Sequence, residues 1–120
     1  MANLFYLHWH EAEANERAAA LNTAGHKVQV HWSTIQAPRL KDNLPDIAII
    51  SLGRLPSHGR AVAEWLWEAK RRQHIPIIFE DGAREKVATL RSKFPKAHFC
   101  RSARVLSVIE RLEGRRVARR

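Results

Sequence analysis

Cysteine is almost missing from this chain of 120 residues, in which Cys100 stands alone. A lone cysteine cannot form an intrachain disulfide, so the fold depends on its apolar core, which a chain of this length can supply. This usage favours a reducing compartment, and we expect a cytoplasmic location. No apolar run approaches the length of a membrane-spanning helix. Residues 4–7 lack the flanks of a signal peptide and are interpreted as a first strand.

Glycine is absent where nucleotide-binding motifs need it. The turn after the first predicted strand is His8-Trp9-His10-Glu11, and neither a dinucleotide fingerprint nor a P-loop occurs anywhere in the chain. The sequence therefore predicts neither of these phosphate-binding motifs.

Acidic residues are scarce in the second half. Residues 61–120 hold fifteen Lys and Arg against seven Asp and Glu, whereas residues 1–60 hold six against five. We interpret residues 1–114 as one domain and residues 115–120, which include four arginines, as a basic tail. Such charge favours anionic partners, either nucleic acid or an acidic protein surface, although a basic tail can also be a solubilising end. No base-reading motif is visible, so any nucleic-acid binding would be mostly to phosphate and salt-dependent.

Short apolar runs alternate with helix-like segments along the chain. The first predicted helix has an inward stripe of Ala14, Ala18 and Leu21, and Gly114 is predicted to end the last helix. Right-handed crossovers between successive strands favour a parallel sheet with helices on both faces. The predicted strands are 4–7, 28–32, 46–50, 75–79 and 97–100, and the predicted helices are 11–24, 60–73, 84–94 and 103–113.

Four segments, in this order and spacing, resemble the receiver domain of bacterial response regulators. Residues 25–28 resemble the start of its second strand, 45–52 its third strand, 55–59 the following loop and 75–79 its fourth strand. The resemblance extends over about residues 3–113. It implies a three-layer α/β fold, a flavodoxin-like doubly wound parallel sheet of five strands in the order 2-1-3-4-5, with its site at the carboxyl ends of the strands.

The resemblance also indicates where the phosphorylation residues would lie. In a receiver domain, two acidic residues after the first strand hold Mg²⁺, and an aspartate that ends the third strand accepts the phosphoryl group. The corresponding residues here form a degenerate pocket: His8 and Trp9 at the acidic pair, Ser51 at the phosphoacceptor, Asp81 at a threonine or serine position, and Ser102 (Arg101 in a shifted register) at a lysine position. Phe99 falls at the aromatic switch position and is the one match.

These replacements remove the usual chemistry. Tryptophan cannot ligate Mg²⁺, imidazole is a poor ligand for that hard cation, and a serine hydroxyl is a weak nucleophile without a nearby base. We therefore predict a non-enzymatic, receiver-like signalling domain that needs no cofactor and contacts a protein partner or a second copy. In the family, the face formed by the fourth helix, fifth strand and fifth helix carries such contacts, which implies an interaction surface with Arg84, Phe99, Arg104 and Arg111.

Two enzymatic or metal-binding alternatives remain open at this point. His8, His10 and Asp81 all follow strands, and two histidines with a carboxylate would suit Zn²⁺ or another transition metal. A hydrolytic triad would need Ser51, either His8 or His58, and Asp81, but no G-x-S-x-G elbow surrounds the serine. Trp67, which falls away from the inward stripe of its predicted helix, is interpreted as facing partly outward.

Overall fold

A computed structural model describes residues 2–8, 10–31, 44–52, 63–68 and 72–118 of the chain, with side chains as far as residue 114. Five strands and four helices occur along the described chain in the predicted order. In order they are β1 (Asn3–Leu7), α1 (Glu11–Thr23), β2 (Lys27–His31), β3 (Ile47–Ser51), α2 (63–68), β4 (Ile77–Glu80), α3 (Arg84–Lys93), β5 (His98–Cys100), a 3-10 turn (Ser102–Arg104) and α4 (Val105–Ala118).

The five strands form one parallel sheet in the order β2-β1-β3-β4-β5, which confirms the predicted topology. β3 is buried at all five positions, as expected of an apolar strand covered on both faces. Register pairs Ser51 of β3 with Glu80 of β4, and Glu80 with Cys100 of β5. The carboxyl ends of these strands therefore meet at one edge, which we call the carboxyl edge.

Side chains alternate between two cores, one on each face of the sheet. On one face α2 and α3 pack against the sheet, through Leu66 and Leu90. On the other face α1 and α4 do so, through Leu21 and Ile109. This is the predicted three-layer arrangement.

The first helix agrees closely with its prediction. Ala14, Ala18 and Leu21 are buried, and the helix ends at Thr23. Gly25 follows with a φ of 98°, a left-handed conformation that glycine adopts without steric cost.

One expectation for the last helix needs revision. Gly114 does not end the last helix, which continues to Ala118, because a single glycine costs a helix interior only about 1 kcal/mol. The division at residue 114 into domain and tail remains a prediction. Trp67 is half-buried, which agrees with its expected position facing partly outward, and its ring also packs edge-on against Phe94 at a centroid distance of 5.1 Å. Of the helix predicted over 60–73, residues 63–68 are described and helical, whereas residues 72 and 73, also described, lie in a turn.

No helix in the described part of the chain is long and apolar enough to cross a membrane.

Candidate functional site at the carboxyl edge of the sheet

Polar side chains follow three neighbouring strands at the carboxyl edge. His8 follows β1, Ser51 ends β3, and Glu80 and Asp81 lie at the end of β4. His8, Ser51 and Glu80 are each no more than 2% exposed. The expectation that His8, Ser51 and Asp81 share this edge is confirmed, and of these polar groups Asp81 is the partly exposed one, at 24%.

Glu80 is the centre of a buried network. Its Oε1 accepts a hydrogen bond from the Tyr6 hydroxyl at 2.5 Å and another from the Arg17 guanidinium at 2.5 Å. Burial raises the pKa of the Glu80 carboxyl, and the bonds from Tyr6 and Arg17 oppose that rise. Burial, together with the charge of Glu80, also raises the pKa of Tyr6. The network thus joins β1, α1 and β4 through one carboxyl oxygen.

Asp81 extends this network to the fifth strand. Its backbone N–H donates to the Cys100 carbonyl at 2.9 Å, and its Oδ1 accepts from the Ser102 N–H at 3.0 Å. Its Oδ2 lies 3.4 Å from the Arg17 guanidinium. These bonds hold Asp81 at a φ of 61°, which aspartate tolerates better than most residues.

Asp81 does not cap the following helix, although an aspartate shortly before a helix often does. The N-cap of α3 is Ala83, with no side-chain hydrogen bond. The carboxylate points instead to the 3-10 turn after β5. Its role in the fold is to connect two loops of the carboxyl edge.

Gly82 allows the loop after β4 to pack closely against the residue that follows β3. Its φ is 99°, and a Cβ built on it would lie 2.8 Å from the Cβ of Leu52, the residue after β3. A side chain at this position would separate the two loops, so the glycine is needed for both its conformation and its size.

The histidines after β1 serve the start of α1. His8 Nδ1 accepts from the His10 N–H at 3.0 Å, and His8 Nε2 lies 3.1 Å from the Glu13 carboxylate. His10 caps the helix, because its Nδ1 accepts from the Glu13 N–H at 3.3 Å. Both rings therefore have local structural partners.

The structure does not bring the three candidate metal ligands together. No group of three or more His, Cys, Asp or Glu side chains in that part of the chain is placed to hold a metal ion. His8 pairs with Glu13, while Asp81 faces Arg17, so the proposed ligands His8, His10 and Asp81 are directed to different partners.

A hydrolytic triad that uses His8 would need Asp81 beside it. Asp81 instead faces Arg17 and the Ser102 N–H, while His8 pairs with Glu13. The alternative base His58, like Trp9 of the degenerate pocket, lies outside the described residues.

The remaining predicted residues lie on the side of α3, β5 and α4. Phe99 is half-buried and stacks on Phe79 with a centroid distance of 5.1 Å. Arg84, Arg104 and Arg111 are exposed, as is Ser102. Arg84 and Phe99 line one cleft, described below, which Arg104 and Arg111 do not line.

Sequence reasoning missed Arg17 and Tyr6. A usable signal existed for Arg17, because it lies three residues after Ala14 and four before Leu21, on the buried stripe of α1. A charged residue on such a stripe requires a polar partner in the core. Glu80, at the end of an apolar strand, was the candidate for that partner.

Comparison with known proteins supports the fold. No family model and no curated protein matches the sequence. Similar solved structures include NtrX from Brucella abortus (18% identity, TM-score 0.76), which aligns with 98% of this chain. The signal receiver domain of a histidine kinase from Syntrophus aciditrophicus has 19% identity and a TM-score of 0.72, over 93% of this chain and 89% of that one. The bacteriophytochrome response regulator RtBRR has 12% identity and a TM-score of 0.67, over 93% of this chain and 78% of that one.

The chain therefore has the flavodoxin-like fold found in signal receiver domains. It spans 28% of the length of the NtrX chain.

Proposed function

We propose that this chain is a cytoplasmic, receiver-like signalling domain of the two-component type, which acts through protein contacts and does not accept a phosphoryl group in the usual way. The observation that carries the proposal is the carboxyl edge itself. In a receiver fold this edge is where phosphoryl transfer takes place, and here its polar groups are His8, Ser51, Glu80 and Asp81, bound to internal partners.

The geometry is unfavourable for phosphoryl transfer in two ways. Magnesium needs oxygen ligands beside the acceptor, but His8 offers an imidazole that already bonds the His10 N–H and lies against Glu13. A phosphoryl group near Ser51 would also approach the carboxylates of Glu80 and Asp81, whose charge is only partly offset by the single guanidinium of Arg17.

Loss of the chemistry also removes the trigger for a switch. A ligand shifts a conformational equilibrium only when it favours one state over the other. Without phosphorylation, the surface around Phe99 is expected to bind its protein partner constitutively, with Arg84 and the exposed arginines of the 3-10 turn and α4 contributing charge.

The test is incubation with acetyl phosphate and Mg²⁺, followed by measurement of the intact mass. We expect no phosphate adduct. The matched control is Ser51→Ala, since a hydroxyl-linked adduct would be lost in that variant. An adduct on the native protein that Ser51→Ala abolishes would refute the proposal.

A second candidate function is binding to nucleic acid through phosphate. The observation that favours it is a series of exposed arginines from α3 to α4, namely Arg84, Arg91, Arg101, Arg104 and Arg111. Duplex DNA titrated at several salt concentrations tests it, and deleting residues 115–120 should flatten the salt dependence. We expect weak binding that disappears near physiological salt. Tight, sequence-dependent binding at that salt would place this function first.

A further inference from the structure

A cleft opens between α3 and β5 beside the carboxyl edge. Its volume is about 460 Å³, within the usual range for sites that hold small molecules. Of the Glu80 network, only Asp81 lines it, and of the phosphorylation positions only Asp81 and, in the shifted register, Arg101 do so among the described residues.

Three arginines give the cleft its charge. Arg84 begins α3, Arg91 lies two turns later on the same helix, and Arg101 directly follows β5. All three side chains are exposed, and none of them has an ion-pair partner within the part of the chain that the structure describes. The cleft therefore presents uncompensated guanidinium groups from two different elements.

The one carboxylate in the lining offsets this charge only in part. Asp81 directs Oδ1 to the Ser102 N–H and Oδ2 toward Arg17, outside the cleft. With three cations and one anion, the lining has a net formal charge of +2.

The cleft also has an apolar wall. Phe99 lies half-buried in β5, and the Arg91 guanidinium carbon lies 5.0 Å from the centre of its ring. Val87 and Ala88 of α3 complete the apolar part of the lining. A flat or apolar group could pack here while an attached anion contacts the arginines.

We propose that this cleft binds a small organic phosphate, with its phosphate group among Arg84, Arg91 and Arg101 and its organic part against Phe99 and Val87. A phosphate group suits the site better than a carboxylate does. A carboxylate presents two oxygens in one plane and satisfies one guanidinium fork, whereas a terminal phosphate offers three oxygens to donors that approach from several directions. Binding at this cleft would be reversible, and Ser51 does not line it. The proposal is therefore independent of whether the domain accepts a phosphoryl group.

The test uses phenyl phosphate as the probe and follows the backbone amide signals of the full chain by NMR. We expect saturable shifts at Val87, Ala88, Phe99 and Cys100. Phenyl phosphate should bind more tightly than either inorganic phosphate or benzoate, because each of these lacks one half of the proposed ligand. Absence of saturable shifts at millimolar probe would overturn the proposal.

Two charge variants separate a built site from general attraction. Arg91→Gln removes a cation from the cleft and should weaken phenyl phosphate roughly tenfold, the usual effect of losing one charge-assisted hydrogen bond. Lys86→Gln removes an equal charge from an exposed position of the same helix that does not line the cleft, and should change the affinity less than twofold. Equal losses in the two variants would contradict the proposal.

A third variant tests the apolar wall. Phe99→Leu keeps an apolar side chain but removes the ring, so phenyl phosphate should lose most of its advantage over inorganic phosphate. If the advantage persists in Phe99→Leu, the organic part does not bind where we place it, and the proposed site is wrong.

Discussion

Arg17 and the arginines of the α3–β5 cleft lie close together in the fold but in opposite electrostatic situations. Arg17 reaches from α1 to two carboxylates, Glu80 and Asp81, and its charge is used inside the molecule. Arg84 and Arg91 are exposed and have no ion-pair partner among the described residues. The difference indicates that the first arginine fixes the carboxyl edge, whereas the others are available to a ligand or partner.

The largest expected effect is on stability. Glu80→Ala leaves the Arg17 guanidinium and the buried Tyr6 hydroxyl without their acceptor, and should lower the free energy of unfolding by about 3 kcal/mol. Arg84→Ala, at an exposed position, should change it by less than about 0.5 kcal/mol. Urea unfolding followed by circular dichroism measures both values. Similar losses in the free energy of unfolding for the two variants would contradict the distinction between the internally paired Arg17 and the exposed arginines of the cleft.

Gly82→Ala tests how tightly the carboxyl edge is packed. The new Cβ would meet Leu52 at 2.8 Å and would also occupy a left-handed conformation, so we expect a loss of about 2–3 kcal/mol. Gly25→Ala is the matched control, because Gly25 has nearly the same φ and no atom within 4 Å of the added Cβ. That variant should lose only about 1 kcal/mol, the conformational part. Equal losses would mean that the contact with Leu52 yields without cost.

The pH dependence of stability tests the charge state of Glu80. Its pKa is raised in the folded state, so the stability that its titration contributes is present below the ordinary glutamate pKa and is lost as pH rises through the folded pKa. Glu80→Gln has no such titration. The stability of the variant relative to the native protein should therefore improve with rising pH across this window, by about 1.4 kcal/mol for each unit of upward shift.

Urea midpoints of both proteins from pH 4 to pH 8 provide this comparison, and Arg84→Gln serves as the charge control. If the stability of Glu80→Gln relative to the native protein instead falls as pH rises, the ion pair with Arg17 outweighs burial and the Glu80 pKa is lowered.

The smallest expected effect concerns the last helix. Gly114 is exposed within α4, and an added Cβ meets no atom within 4 Å. Gly114→Ala should therefore stabilise the protein by about 0.5–1 kcal/mol. Loss of stability on this substitution would indicate that the helix ends at Gly114 after all.

The parts of the fold that the sequence predicted well are those encoded by local patterns. The apolar run of β3 and the stripe of α1 each lie within a few consecutive residues, and the strand order followed from the resemblance to receiver domains. The end of α4 was missed because the cost of one glycine is smaller than the gain from continuing a packed helix.

The candidate site was predicted only in its position. That His8, Ser51 and Asp81 meet at one edge follows from parallel strands alone. The bond between Tyr6 and Glu80 joins residues 74 positions apart, and its geometry depends on the final register of the sheet. No local pattern specifies such a contact, although the charge of Arg17 on a buried stripe indicates that one exists.

We propose that the carboxyl edge has one fixed arrangement and no phosphate-driven switch. Amide NMR spectra recorded with Mg²⁺, before and after addition of beryllofluoride as a mimic of a bound phosphoryl group, test it most directly. We predict that the signals of Ser51 and of α4, which does not line the arginine cleft, stay unchanged. A concerted change that begins at Ser51 and extends through Phe99 to α4 would contradict the claim and show that a working switch survives.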